Sequence, residues 1–344
     1  MIVARIMMLI LSNEGHWYGG QAGTISLHWV ARFEQPEAVL VWDLLIGEVR
    51  VAGDRLAVQR GSRPSVVTLT PPEVRARTQM RWVYRLYQRS DGKEIDTGEA
   101  VIQVYPSPRP DRLKGRLQDK RVAVWDTADG LADALTQAGL EFRRIRKAAD
   151  LQLSGADVVL VGPDELRDAV FDQSPLIALS EAGATVVFFE QTRPRFLAGY
   201  ALNRRTARTR PTWRSGHLLM SGLRTGDPES WLDGLGQEVW AIELPADEPV
   251  LEIGYWPPVV EGSQPGPIEA LLAVKAVGKG RLIMCQIPLG PWDTDPRTQQ
   301  FLENVVSYVG TRPEPTPRPT ERQVLRPAAS QPVSTIAIPS GATP

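Results

Sequence analysis

Four short apolar runs constrain this chain more than any other feature: RVAVWD (121–126), DVVLVG (157–162), TVVFFEQT (185–192) and RLIMCQIPL (281–289). A strand that is apolar on both faces must be covered on both faces, as in a parallel sheet. The segments between the runs supply helices. In DGLADALTQAG (129–139), Leu131, Ala134, Leu135 and Ala138 fall on one helical face, and Gly139 is a natural stop. PLIALSEAGA (175–184) predicts a further helix, and FRRIR (142–146) a short strand. Asp295-Pro296 predicts the start of a last helix, with Asp as N-cap and Pro at the first helical position. Its apolar face is Phe301, Val305, Tyr308 and Val309. Alternating strands and helices of this kind imply a doubly wound α/β domain with right-handed crossovers. We assign it to 120–311, with a long, less regular insertion over about 193–270.

The chain changes character near residue 106. Before that point strand signals dominate. TISLHWV (24–30) alternates, with Ile25, Leu27 and Trp29 on one face. AVLVWDLLIG (38–47), SVVTLTPP (65–72), MRWVYRLYQ (80–88) and EAVIQVYP (99–106) are further strand candidates. Asp91-Gly92 is a hairpin signal, because glycine supplies the positive φ of a tight turn. About seven short strands without a helix read as an immunoglobulin-like β-sandwich over 1–106. With no cysteine pair to bridge the sheets, its core rests on Trp29, Trp42, Trp82 and aliphatic residues. Residues 107–119 are a Pro-rich linker, and the Pro-, Ser- and Thr-rich tail over 312–344 is expected to be disordered.

Composition narrows the function classes. The 344 residues carry a net charge of −1, so no global field attracts nucleic acid or an anionic membrane. The basic run NRRTARTRPTWR (203–214) alternates Arg with Thr and Pro, and we read it as a solvated loop. Cys285 is the single cysteine, and the three histidines are scattered, which argues against a structural metal site. The first residues resemble a signal peptide only weakly: Arg5 interrupts the apolar run, and an opening strand fits better. No run approaches the ~18 apolar residues that a membrane span needs.

Each chemical candidate has a bland competitor. Asn13-Glu14 looks like the acid/base of a barrel glycosidase, but a strand-only segment follows where a barrel would need a helix. We place Glu14 in the loop after the first sandwich strand. Cys285 stands mid-strand in LIMCQIP without the small flanking residues of a nucleophile elbow, so it reads as a core residue. No strand-end G-x-G-x-x-G occurs, and no cofactor is implied. Glu190 and Gln191 remain, at the carboxyl end of a central strand, where open α/β sheets bind ligands. Trp231 with Asp233, and Trp292, offer rings that could stack on sugars or anchor packing. These five residues form the candidate contact surface.

GATVVFFEQ (183–191), HLLMSGLRTGDPESWLDG (217–234) and AVGKGRLIMCQIPL (276–289) occur in this order and resemble a known region. It is the C-terminal, glutamine-amidotransferase-like part of large bacterial family two glycoside hydrolases and β-galactosidase-like proteins. The preceding sandwich, with LSNEGHWYGG (11–20) near its start, is similar to the immunoglobulin-like domain before that part. The resemblance covers about 1–310. It implies carbohydrate metabolism, but the family's catalytic barrel and carboxylate pair lie outside the matched region, so no catalytic residue carries over. The elbow position reads FFEQTRP, without the amidotransferase nucleophile.

The expectation is a non-catalytic accessory region serving domain packing, oligomerisation or weak carbohydrate contact. Its implied partners are a second copy of the chain, a glycosidase catalytic domain, or carbohydrate. The alternatives are a glycan-binding module acting through Trp17-Tyr18, Trp231 or Trp292, and a hydrolase with its site at Glu190.

Overall fold

The computed structural model describes residues 5–30, 37–59, 65–167, 172–206, 209–224, 226–232, 238–245, 248–257, 260–261, 264–265, 267–289 and 291–311. The expected disordered tail lies outside them. The chain is a multidomain, β-rich protein with few helices.

Among the described residues, eight strands precede residue 106: β1 (Arg5–Leu11), β2 (His16–Tyr18), β3 (Gly23–Val30), β4 (Glu37–Ile46), β5 (Val49–Gln59), β6 (Ser65–Leu69), β7 (Thr78–Gln88) and β8 (Glu94–Tyr105). They form a three-stranded sheet, β1-β3-β6, and a five-stranded sheet, β2-β8-β7-β4-β5. Alternation along the strands explains the packing: Ile25 and Leu27 from one sheet and Leu40, Trp42, Leu44, Met80, Trp82 and Leu86 from the other fill one core. Trp42 and Trp82 are buried as expected, whereas the side chain of Trp29 lies outside the described residues. Gly23 is required by packing, since a Cβ there would sit 2.3 Å from the Trp17 ring. Gly92 turns the β7–β8 hairpin with φ +69°. Glu14 falls in a 3-10 turn, Ser12–Gly15, directly after β1, and its side chain is outside the described set.

Residues 107–119 are a packed run of turns. Ser107 donates to the Gly19 carbonyl at 2.6 Å, the Leu113 amide to the Ala138 carbonyl at 2.7 Å, and Arg112 pairs with Glu303 at 2.5 Å.

The C-terminal region opens with β9 (Val122–Trp125), α1 (Gly130–Gln137), β10 (Arg143–Ile145), α2 (Ala149–Ser154), β11 (Val158–Val161), α3 (Ser174–Ala182) and β12 (Thr185–Phe188). Next come β13 (Phe196–Leu197), β14 (Tyr200–Thr206), β15 (Thr212–Trp213), α4 (Gly226–Ser230), β16 (Glu238–Leu244) and β17 (Val250–Trp256). The described elements end with β18 (Val260–Glu261), β19 (Gln264–Pro265), β20 (Ile268–Val277), β21 (Gly280–Cys285) and α5 (Pro296–Val309).

Strands β10-β9-β11-β12-β21 are parallel, and in chain order they run 2-1-3-4-5. Successive strand residues feed two cores. Val124, Leu160, Val187 and Ile283 meet α1 and α5, while Trp125, Val161, Phe188 and Met284 lie in the core that includes Leu151 of α2 and Leu176 of α3.

Three expectations need correction. The 193–270 segment is not an irregular insertion on a purely parallel sheet. It supplies antiparallel strands β13–β17 and part of β20, which widen the sheet to eleven strands. Nor is the basic run a solvated loop throughout. Arg204 and Arg205 lie in β14, where they pair with Glu238 and Glu269, and Arg205 also covers the Trp256 ring at 4.6 Å. Finally, Cys285 is the last residue of β21 rather than mid-strand, and it remains fully buried.

The GKGR turn has a physical cause. Gly280 passes so close to the end of α3 that a Cβ would lie 2.5 Å from the Ser180 carbonyl oxygen and 2.1 Å from that of Ala184, just beyond the helix. Arg281 then enters the sheet as a buried cation capping α5.

Candidate functional site

The carboxyl edge of the parallel sheet gathers polar residues in strand order: Asp126 after β9, Gly162 and Asp164 after β11, Glu190 to Thr192 after β12, and Gln286 after β21. Strand order reverses between β9 and β11, the crevice where doubly wound sheets take ligands. Most of these groups bind one another. Asp126 accepts from the Ala132 amide of α1 at 2.9 Å. Glu165 accepts from the Thr127 amide and hydroxyl at 2.5 and 2.7 Å. Asp164 accepts from the Thr192 amide and hydroxyl at 2.7 and 2.9 Å.

Gln191 is fully buried, and its amide is a cross-link between strand ends. It accepts from the Leu166 amide at 2.9 Å and donates to the carbonyls of Gly162 and Phe189 at 2.8 and 2.7 Å. Its backbone amide donates to Gln286 at 3.1 Å. A side chain so bonded is fixed in place and has little capacity left for a ligand.

Glu190 differs. Burial, and secondarily the nearby Asp164 carboxylate, raise its pKa from 4.5 to about 7. A carboxyl in that state can give or accept a proton near neutrality. Cys285 is less suited to chemistry: burial pushes its thiol up to about 12, so it does not ionise at neutral pH. Among the described residues, no group of three or more His, Cys, Asp or Glu is placed to hold a metal ion.

Trp292 reaches this edge. Its half-buried ring meets Phe189, the neighbour of Glu190, edge-on at 5.2 Å, and it lies over Gly130 at the start of α1. Trp231 goes elsewhere. It is buried, packs edge-on against Phe301 at 6.1 Å and donates its indole N–H to Asp295 at 3.3 Å. Asp233 lies outside the described residues. Trp17 and Tyr18 are buried as well, and the Trp17 indole donates to the Ser12 carbonyl at 2.6 Å. Of the five candidate residues, then, Glu190, Gln191 and Trp292 share one edge, and Trp231 anchors a different place.

That place is a polar junction between the two halves of the chain, which the sequence did not signal. Arg77, just before β7, makes a two-pronged ion pair with Asp227 of α4 at 2.6 and 2.8 Å. Arg77 also donates to Gln103 at 3.3 Å and stacks over Tyr105 at 4.9 Å. On the α/β side Asp295 caps α5, accepts from the Arg297 amide at 2.8 Å and pairs with the Arg297 guanidinium at 2.8 and 3.0 Å. Arg297 also donates to Ser230, next in the chain to Trp231. His16 sits amid these groups, with Nδ1 2.9 Å from the Tyr105 hydroxyl. Asp227-Pro228 in TGDPESWLDG was a local cue to a helix start, but nothing local marked Arg77 as its partner.

No protein-family model matches the chain, and no curated protein matches it. Solved structures similar to it include glycosidases. A β-galactosidase from Bacillus circulans sp. alkalophilus matches at 12% identity over 59% of this chain and 33% of that one, with a TM-score of 0.32. An FMN-binding β-glucuronidase from Facaelibacterium prausnitzii L2-6 matches at 11% identity over 56% of this chain and 28% of that one, with a TM-score of 0.21. The chain therefore spans a third or less of these glycosidases. A CARDB domain from Pyrococcus furiosus, in complex with di-metal ions, matches at 8% identity over 31% of this chain and 94% of that domain, with a TM-score of 0.22.

Proposed function

We propose that this chain is a non-catalytic accessory region of a glycoside-hydrolase-like protein. In this reading 1–106 is an immunoglobulin-like sandwich, 107–119 a connecting segment and 120–311 an amidotransferase-like α/β domain. The observation that carries it is the Arg77–Asp227 ion pair, whose side chains are 15% and 3% exposed. A buried, doubly hydrogen-bonded pair between two regions fixes their geometry, whatever its net contribution to stability. A block held in that way suits packing against a catalytic domain, contact with a second copy, or weak carbohydrate contact. The amidotransferase-like edge supports the same reading, because Gln191 acts there as a cross-link and Cys285 is a buried, un-ionised thiol.

A second reading is favoured by the position of Glu190, at the carboxyl end of β12 and bonded through its carbonyl to the Asp164 amide at 2.9 Å, where burial raises its pKa. It makes the carboxyl edge a hydrolytic or glycan-contacting site, with Trp292 as its ring. Turnover of aryl β-glycosides by the purified chain separates the two. The accessory reading expects the same background rate from the wild type and Glu190→Gln. Turnover that disappears in Glu190→Gln would replace it with the second reading.

A further inference from the structure

The junction between the two halves contains a titratable group that neither reading uses. His16 is 9% exposed and lies on β2, which packs against α5. The groups facing it are Tyr105 from β8, Arg77 from the segment before β7, Asp227 from α4, and Asp295 and Arg297 at the start of α5. Each carboxylate is already paired with one arginine: Asp227 with Arg77 and Asp295 with Arg297. A proton added to His16 therefore creates a third cation beside two guanidiniums, and the two carboxylates that favour it are already shared with those arginines. His16 is 9% exposed at the seam between the two halves, so the imidazolium is better hydrated when they separate than when they are closed.

We propose that His16 is a proton-operated latch: the junction between the sandwich and the α/β region is closed while the imidazole is neutral and opens when it is protonated. The direction follows from linkage. In the closed junction burial first, and then the charge of Arg297, lower the His16 pKa from 6.5 to about 4, against the opposing pull of Asp227 and Asp295. An exposed imidazole in the open form keeps the ordinary value of 6.5. The closed form is thus fully favoured above pH 6.5, loses ground as the pH falls toward 4, and loses no more below that. The difference of 6.5 − 4, or about 2.5, corresponds to a change of about 300-fold in the open-to-closed ratio.

Two exposed positions, Glu94 in the sandwich and Glu181 on α3, allow donor and acceptor dyes to be placed through Glu94→Cys and Glu181→Cys, since Cys285 is buried. Energy transfer is then followed from pH 7.5 to 3.5, with far-UV circular dichroism recorded in parallel. The latch predicts a loss of transfer between pH 6.5 and 4 with the dichroism unchanged, and no such loss over that range in His16→Gln. A second measurement covers the case in which His16→Gln folds poorly: the imidazole of His16 in the wild-type chain, followed by NMR, should titrate well below 6.5. An ordinary His16 titration overturns the proposal. So does unchanged transfer down to pH 4, an unaltered profile in His16→Gln, or transfer lost only together with the dichroism.

Discussion

Arg77 and Asp227 stand 150 residues apart in the chain and meet in a two-pronged ion pair at 2.6 and 2.8 Å. Asp227 Oδ2 also accepts from the Arg224 amide at 2.8 Å, which aims the carboxylate at the guanidinium. Because the carboxylate is 3% exposed, removing Arg77 leaves a buried charge without its counter-ion. Arg77→Ala should cost about 3–5 kcal/mol in urea denaturation, the range for a broken buried pair. Replacing both members with apolar residues, as in Arg77→Met with Asp227→Leu, should cost much less than the two single changes added together. Near-additive costs would mean that the pair contributes little.

Glu190 gives a stability signature with a defined sign. Its folded pKa of about 7 lies above the unfolded value of 4.5, so its contribution is fully present below pH 4.5 and lost as the pH rises through 7. Glu190→Gln cannot ionise and escapes that loss. The variant should gain on the wild type between pH 4.5 and 7, by at most about 3 kcal/mol, and hold the gain above pH 7. Parallel pH–stability curves for the two proteins would show that Glu190 ionises normally.

Arg281 is a buried cation that donates to the Thr185 hydroxyl of β12 at 3.3 Å and otherwise to the end of α5. Its guanidinium donates to the carbonyls of Tyr308 and Thr311 at 2.5 and 3.1 Å and lies over the Tyr308 ring at 4.3 Å. Helix C-termini carry unsatisfied carbonyls and partial negative charge, so a cation there replaces water as their partner. Arg281→Met keeps the apolar stem but removes these donors. It should destabilise the chain by roughly 2–4 kcal/mol, with faster hydrogen exchange concentrated in the last turn of α5. Exchange that speeds up evenly across the sheet would contradict a capping role.

What the sequence revealed follows the range of the forces involved. Short-range patterns were legible. The apolar runs became β9, β11, β12 and β21, and the Asp295 side chain caps α5 as its Asp-Pro step implied. The antiparallel strands over 193–270 were harder to read. In β14 the buried Tyr200 and Leu202 give way to Asn203, Arg204 and Arg205, so apolar alternation lasts only a few residues. The arginines look like loop residues until Glu238 and Glu269 arrive from distant strands. At the candidate site, Glu190 was singled out from its strand-end position, whereas the cross-linking role of Gln191 depends on Gly162 and Leu166 from a neighbouring strand end. Trp231 beside Asp233 suggested a sugar platform, but burial against Phe301 and Asp295 decides its role, and no local pattern carries that information.

The Arg77–Asp227 junction clamps the two halves of the chain into one block. Differential scanning calorimetry at pH 7.5 of the wild type and of Asp227→Ala tests this clamp. A clamped block melts in a single cooperative transition in the wild type and in two separated transitions in Asp227→Ala, one for each half. Two independent transitions already present in the wild type, at temperatures that Asp227→Ala leaves unchanged, would contradict it.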